Sequence, residues 1–373
     1  MIRKLFLIAL VVLCALVIAP VMADDLTWED DPPPMTGVPP TPTPEPTPTP
    51  VPTKTPKPTK TPKPTATPTP VPTPTIDPYV EGAWPEHRMG LDGFMNEGEF
   101  VYINEAAGLW RYCSPTLKVE IIRYQQYKPA KPLRWYEAEV WAKEGENWYF
   151  ATHVEGKHVA TVAWPYEVAT ENQTVLAINT DYFNTRYPKH DYSVGCIIRD
   201  GKVFSKLQLP PTTGKFPPTD VLALYPDGRM EVYNSREHTA EEYLEMGVTS
   251  TLAFGPIMLR NGEYDLNRLK KFAQENAPRT VIGMVEPGHY FAMMMEGRYK
   301  ESYGDSVENM TYRMKERGVM EAINLDGGET ACILFMGKQL NVVGNTNHAN
   351  GAARRTPELL AIGRWTDENG SAR

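Results

Sequence analysis

The chain has 373 residues, a formal net charge of −8 and a hydrophobic content of 41%. The acidic balance without a basic patch argues against a nucleic-acid partner. Four cysteines, one of them inside the N-terminal apolar run, exclude a disulfide scaffold: the fold must depend on its core, with one bridge at most.

The first 23 residues are typical of an export signal. Arg3 and Lys4 precede an apolar run from Leu5 to Ala19, and small residues then stand where signal peptidase cleaves. The segment is also close to the minimum of about 17 residues for a membrane span, so an uncleaved anchor is the alternative. Both predict a protein that is secreted or membrane-anchored on the extracellular face, with membrane contact only through this segment.

Residues 24–78 are dominated by proline and threonine. Twenty of the 36 prolines lie between Pro32 and Pro78, and Thr-Lys-Thr-Pro-Lys-Pro repeats within this stretch. Such a composition has no apolar face to bury and favours extended polyproline II, which reaches on the order of 145 Å at about 3.1 Å per residue. We predict a disordered linker that spans a cell wall or surface layer and carries one folded domain, residues 79–373.

The folded part begins with strand patterns. Apolar and polar residues alternate over 119–123 and 135–141. Further along, four dipeptides that favour tight hairpin turns separate apolar runs, namely Asp200-Gly201, Asp227-Gly228, Asn261-Gly262 and Pro287-Gly288. These patterns predict a mixed, largely antiparallel sheet core.

Three segments are predicted to be helices: Thr239–Met246, Leu266–Glu275 and Ser306–Arg317. Asp305 and Glu308 are spaced as a capping box at the start of the third, and a glycine follows its end. A few helices mixed with antiparallel strands predict an α+β domain.

Two apolar strands run into polar clusters. The first cluster comprises Asn324, Asp326, Gly327, Gly328, Glu329 and Thr330, and the second comprises Asn179 and Asp181. Paired glycines let the backbone approach a ligand closely, and a carboxylate at a strand end can point into a cleft. A glycine turn with solvated acids would give the same pattern, so both interpretations stay open.

Two more clusters contain arginine beside a strand end. Arg279 and Thr280 begin one apolar run, and Glu296 and Arg298 follow another. The planar guanidinium fork suits phosphate oxygens, although an arginine at a strand end is more often a surface charge.

The order of these motifs resembles the phosphodiester glycosidase family, to which the lysosomal uncovering enzyme belongs and whose bacterial members are also described as exopolysaccharide biosynthesis proteins. The matching motifs, over roughly residues 135–365, are Asn-Thr-Asp-Tyr-Phe from 179, Ala-Phe-Gly-Pro-Ile-Met-Leu from 253, Pro-Arg-Thr-Val-Ile-Gly from 278, Glu-Gly-Arg from 296 and Asn-Leu-Asp-Gly-Gly from 324. The family usually has Asp where Glu296 stands, and Gly and Ser where Glu329 and Thr330 stand. These departures affect the identity of the substrate more than the fold.

The resemblance implies hydrolysis of a sugar-1-phosphate diester between the anomeric carbon and the phosphate oxygen. Asp326 and Asp181 would then be catalytic, Arg279 and Arg298 would hold the phosphate, and Asn179 and Asn324 would bind sugar hydroxyls. The other predicted substrate contacts are Thr280, Glu296, Gly327, Gly328, Glu329 and Thr330.

The implied partner is a phosphate-linked glycan or another wall or surface polymer. No cofactor is required by the sequence, no histidine pair has zinc-ligand spacing, and assistance by a divalent cation is an open question. Two alternatives remain, a non-catalytic wall carbohydrate-binding module and a protein of exopolysaccharide assembly. The tryptophans at 135, 141 and 164 are candidates either for stacking on sugars or for burial.

Overall fold

Three antiparallel sheets make up the described part of the chain. The computed structural model describes residues 82–366, except 129, 160, 183–193, 209–217, 273–275 and 345–350. The export segment and the linker predicted for residues 1–78 therefore lie outside the described residues. Within the described ranges, no helix has the length and apolar character needed to cross a membrane.

Strands are numbered in chain order, and the first sheet contains eight of them. They are β1 (Phe100–Asn104), β2 (Leu109–Cys113), β3 (Leu117–Gln126), β4 (Leu133–Ala142), β12 (Ile257–Leu259), β13 (Arg279–Glu286), β14 (His289–Met295) and β15 (Glu321–Asn324). Their order in space is β1-β2-β3-β4-β14-β13-β15-β12, and every neighbouring pair is antiparallel.

Two five-stranded sheets complete the fold. One has the order β10-β9-β11-β7-β8 and consists of β7 (Gly195–Arg199), β8 (Lys202–Leu207), β9 (Asp220–Leu224), β10 (Met230–Tyr233) and β11 (Ser250–Phe254). The other has the order β17-β16-β6-β18-β5 and consists of β5 (Tyr149–Thr152), β6 (Thr174–Ile178), β16 (Ile333–Phe335), β17 (Lys338–Gln339) and β18 (Glu358–Arg364).

Burial follows the apolar pattern of each strand. In β3, Val119 and Ile121 are fully buried whereas Glu120 between them is only partly so, as the alternation predicted. The central strands β6, β7 and β9 are buried along their whole length, which explains their continuous apolar runs. Each fully buried aliphatic side chain contributes about 1.5–3 kcal/mol, so these strands dominate the stability of the core.

Four α-helices accompany the sheets in the described ranges: α1 (Pro165–Glu171), α2 (Ala240–Glu245), α3 (Leu266–Leu269) and α4 (Val307–Glu316). The α+β prediction is thus confirmed. The α4 helix buries Met310 and Met314 against Val281 and Met293 of the first sheet. Its N-cap is Ser306, whose hydroxyl accepts from the Asn309 amide at 3.1 Å.

The predicted capping box at Asp305 is therefore wrong by one residue, because Asp305 instead accepts from the Ser306 amide and the Asn309 side chain. The α3 helix is shorter than predicted: it passes into a 3-10 turn at Lys270–Phe272, and 273–275 lie outside the described residues. The α1 helix was not predicted.

Three of the four predicted hairpins are confirmed, at the turns between β7 and β8, β9 and β10, and β13 and β14. The fourth is wrong. Asn261-Gly262 makes a tight turn with a single bridge between Arg260 and Glu263, and no second strand follows. The reason is Asp265, whose carboxylate accepts from the amides of Asn267 and Arg268 and so starts a helix there.

Candidate active site

The antiparallel register brings the distant motifs of the first sheet together. The start of β13 lies opposite the end of β14 and, two residues further on, opposite the end of β15. Arg279 begins β13, whereas Arg298 and Asp326 follow the ends of β14 and β15 within a few residues. These strand ends form one edge of the sheet, which therefore carries two predicted phosphate ligands and one predicted catalytic carboxylate.

Asn179 ties the third sheet to this edge. Its side-chain oxygen accepts from Thr280 Oγ1 at 2.6 Å and from the Cys332 amide at 3.0 Å, and its Nδ2 donates to the Asp326 carbonyl at 2.7 Å. The side chain is fully buried. These contacts use both the oxygen and the nitrogen of the Asn179 side-chain amide. Asn179 therefore positions Asp326, and Thr280 holds Asn179 in place.

Asp326 starts a run of partly exposed residues directly after a buried strand. Its Oδ1 accepts from the Gly327 amide at 2.9 Å, and its own amide donates to the Thr180 carbonyl at 3.3 Å. A Cβ on Gly327 would lie 2.6 Å from the Pro278 carbonyl oxygen, so only glycine fits between Asp326 and the strand that carries Arg279. The close backbone approach expected of the paired glycines is found at Gly327, where it is made to the protein's own backbone.

Arg279 and Arg298 are electrostatically coupled. Burial, together with the positive charge of Arg298, lowers the pKa of Arg279 to about 10. Arg298 is exposed and has a φ of +54°, in the left-handed region that costs a non-glycine residue energy. A Cβ on Gly328 would lie 3.9 Å from Arg298 Nη1, so this guanidinium stands beside the glycine pair. Two adjacent cations at one edge favour an anionic ligand.

Glu296 lies behind this edge. Its side chain is fully buried, Oε1 accepts from the Val342 amide at 2.8 Å, and Oε2 is 3.7 Å from Arg134 Nη1. Burial raises the pKa of its carboxyl to about 7. The structure thus places Glu296 against the protein interior, where it anchors the turn that presents Arg298.

Asp181 belongs to a buried charge network that the sequence did not indicate. Its Oδ2 accepts from Arg199 Nη2 and from the Ala253 amide, both at 3.2 Å. Arg199 also donates to Glu358, with 2.6 Å between Nη2 and Oε1, and Glu358 contacts His158 Nδ1 at 2.7 Å. Asp181, Arg199 and Glu358 are at most 1% exposed. The network joins the second and third sheets beside the candidate site.

Glu329 is paired within the protein. Its carboxylate accepts from Arg354 Nη2 at 3.1 Å, and its carbonyl accepts from the Arg354 amide at 2.8 Å. Thr330 is nearly buried in the 3-10 turn Gly328–Thr330. Asn324 is also buried: its Nδ2 donates to the Gly255 carbonyl at 2.8 Å, and its Oδ1 has no hydrogen-bond partner among the described residues.

Sequence reasoning missed Arg199, Glu358, His158 and Arg354. A charged residue at the end of a continuous apolar strand was the available signal for Arg199, and the same holds for Glu358 at the start of β18. No local pattern indicated that these two strands meet.

The described residues include no group of three His, Cys, Asp or Glu side chains that could hold a metal ion. Cys113, Cys196 and Cys332 are free and buried. Burial raises the pKa of the Cys196 thiol to about 11, so this side chain is not a thiolate nucleophile near neutral pH.

Comparison with known proteins identifies the family. The family model described as phosphodiester glycosidase matches residues 172–363, which is more than half of the chain. The chain belongs to the phosphodiester glycosidase family. Membership in this family supports a glycosidase-type function, and the match contains the ends of β6, β13, β14 and β15 that form the site.

Individual relatives are distant. An uncharacterized SPbeta prophage-derived protein, YomE of Bacillus subtilis (strain 168), is 25% identical over 206 residues, 55% of this chain, and the match spans only 30% of that relative's length. The catalytic domain of zebrafish N-acetylglucosamine-1-phosphodiester alpha-N-acetylglucosaminidase, solved in a form auto-inhibited by its pro-peptide, superposes with a TM-score of 0.53 at 19% identity, covering 68% of this chain and 85% of that domain. A hypothetical protein from Synechocystis gives a TM-score of 0.45 at 11% identity, covering 67% and 62% of the two chains. The zebrafish likeness shows a shared fold.

Proposed function

We propose that this chain is an exported hydrolase that cleaves sugar-1-phosphate diester bonds in cell-surface or extracellular glycans. One observation carries the proposal: Arg279 and Arg298 stand as coupled cations beside the partly exposed carboxylate of Asp326. A phosphodiester attached to a sugar needs both features, an anion site for the phosphate and a carboxylate at the anomeric carbon.

In this reaction, the oxygen of water adds to the anomeric carbon and the bond from that carbon to the phosphate oxygen breaks. The electron pair leaves with the phosphomonoester, which Arg279 and Arg298 stabilise as its charge grows. Because a phosphate is a much weaker base than a sugar hydroxyl, the departing group needs little protonation. The attacking water gives up one proton, which passes to the departing phosphomonoester or to solvent, and its remaining O–H becomes the anomeric hydroxyl of the sugar.

Asp326 is the carboxylate that acts at the anomeric carbon. Asn179 fixes its backbone through the bond to its carbonyl, and the Gly327 amide orients its Oδ1. The open acceptor of Asn324 suits a sugar hydroxyl, because a buried unpaired oxygen gains a hydrogen bond when the ligand arrives. Asp181, held by Arg199, adds negative charge beside the site and favours an oxocarbenium-like transition state.

The proposed location follows from the N-terminal sequence. An apolar run after two basic residues favours export, and the proline-rich linker favours a position in or beyond a cell wall. The proposed substrate is accordingly a wall or surface polymer with phosphate-linked sugars.

The test is incubation of the purified protein with a panel of α- and β-glycosyl-1-phosphodiesters, with free reducing sugar and phosphomonoester both measured. We expect equal release of the two products from at least one substrate. In Asp326→Asn, release should fall by at least about a hundredfold, the usual loss for a catalytic carboxylate. Asp227→Asn, an exposed aspartate in the turn between β9 and β10, is the matched control and should keep full activity.

If the wild-type protein releases no product from any substrate of the panel, the hydrolase proposal is rejected. The non-catalytic alternative depends on Glu329 filling the sugar subsite, and the ion pair of Glu329 with Arg354 weighs against it. Glycan binding without product release would nevertheless favour that alternative.

A further inference from the structure

A separate cleft of about 770 Å³ lies beside helix α1. One wall is the start of α1, with Trp164 and Tyr166, and the other is the β16–β17 turn together with residues 340–342. The described residues that line it include none of the predicted site residues. Its volume falls within the range of about 300–1,000 Å³ that is usual for small-molecule sites.

Two aromatic rings form one side of this cleft. The planes of Trp164 and Tyr166 are within 8° of parallel, with centroids 6.4 Å apart, so the rings are offset and present similarly oriented faces. Tyr166 keeps 43% of its surface exposed. The flat C–H face of a pyranose ring packs against such faces, while its hydroxyls stay in contact with water and polar groups.

The helix itself does not need these aromatic side chains. Trp164 occupies the N-cap, where small polar residues are preferred, and α1 packs through Pro165, Val168 and Ala169 instead. An exposed tyrosine adds no core packing either. Tyr166 is thus open to solvent, whereas Trp164 is partly buried and has the Arg355 guanidinium 5.1 Å from its ring centroid.

The opposite wall is rigid. Asn341 accepts from the Ile333 amide at 2.9 Å and donates to the Ala331 carbonyl at 3.1 Å. Gln339 donates to the Asn341 carbonyl at 2.8 Å. A Cβ on Gly337 would lie 2.5 Å from Thr170 Oγ1, which shows how closely the β16–β17 turn packs on α1. A cleft built this way loses little conformational entropy on binding.

The cleft shares wall segments with the candidate active site. Val342, which lines the cleft, donates to Glu296, the anchor of the Arg298 turn. Ala352, on the same rim, is two residues before Arg354, which pairs with Glu329. The cleft and the proposed phosphate-binding edge are therefore linked through neighbouring loop residues.

We propose that this cleft is a second carbohydrate-binding subsite, which holds a pyranose unit of the glycan chain whose phosphodiester is cleaved at Asp326. The choice of a glycan as the occupant rests on the proposed function. Binding of an uncharged sugar unit here requires no phosphate, so it can be measured apart from hydrolysis.

The experiment is isothermal titration of the full chain with chitohexaose, cellohexaose and maltohexaose, none of which contains a phosphodiester. We expect at least one to bind, and Tyr166→Ala and Trp164→Ala to weaken that binding at least about tenfold. Tyr127→Ala is the matched control, because Tyr127 is 83% exposed and does not line the cleft, and it should bind as the wild type does.

Tyr166→Ala alters an exposed side chain and keeps the test valid even if Trp164→Ala fails to fold, which circular dichroism would report. Absence of binding of all three hexasaccharides by the wild type overturns the proposal. Equal affinity of wild type and Tyr166→Ala overturns it as well, as does binding of a proline-rich peptide in place of any sugar. The hydrolase proposal is tested separately, by product release from the panel of glycosyl-1-phosphodiesters.

Discussion

Arg199→Met is expected to destabilise the domain strongly, because Arg199 is the cation shared by two buried carboxylates. Its guanidinium donates to Glu358 and to Asp181, and all three side chains are at most 1% exposed. Methionine fills much of the space but leaves both carboxylates without their cation. Breaking a buried ion pair from one side typically costs about 3–5 kcal/mol. Domains have only about 5–15 kcal/mol of stability, so the variant should be marginal.

The assay is equilibrium unfolding in urea, followed by tryptophan fluorescence. Arg229→Met is the matched control: Arg229 is 40% exposed, and its pairs with Asp227 and Glu231 lie at the surface, so the loss should be under about 1 kcal/mol. Adding Glu358→Gln to Arg199→Met should recover part of the loss, because one of the two uncompensated charges is removed. Equal stability of Arg199→Met and Arg229→Met would refute this reasoning.

Three further outcomes are expected at the proposed phosphate-binding edge. Burial raises the pKa of Glu296 from 4.5 to about 7, so the native state holds a proton that the unfolded chain has lost between these values. The stability contributed by this group is present below about pH 4.5 and is lost by about pH 7, a change of about 3 kcal/mol. Urea unfolding of Glu296→Gln should show a gain relative to wild type that grows with pH over this window; a constant difference would contradict it. Arg298→Ala should raise the KM for a glycosyl phosphodiester more than Arg298→Lys does, because lysine keeps the charge but not the fork; equal KM values for the two variants would count against phosphate binding here. Gly327→Ala should lower both the melting temperature and turnover, since its Cβ would meet the Pro278 carbonyl at 2.6 Å, and a fully active variant would show that the edge is not tightly spaced.

The sequence predicted the structure correctly where the residues that determine an element are close together in the chain. Turn chemistry located three hairpins, and the predicted helix Ser306–Arg317 agrees with α4 to within one residue at each end. The four polar clusters could also be identified from the sequence, because their polar residues interrupt or end apolar runs. Arg279, Arg298 and Asp326 do lie at one sheet edge, although their roles there are still predictions.

Other features depended on partners far away in the chain. The sequence could not show that the Glu296 carboxylate accepts from the Val342 amide, because that neighbour is fixed only by the folded chain. The contacts of the Asn179 amide with Thr280, Cys332 and Asp326 likewise come from three other segments, and the substrate-binding roles of Glu296 and Asn179 stay predictions. The Asn261-Gly262 hairpin failed because helix capping by Asp265 competed with strand pairing.

The family match begins at residue 172, but the sheet that carries the site extends well before it. β14 pairs along its whole length with β4 (Leu133–Ala142), and β18 pairs with β5 (Tyr149–Thr152). A protein cut at residue 172 would leave β14 as an exposed edge strand, and six of its seven residues, 290–295, are apolar or aromatic and buried in the intact chain. Such an edge is a template for intermolecular strand pairing. The smallest well-behaved unit is therefore expected to include β4, and expression products that begin after it should aggregate even though they contain every motif of the family.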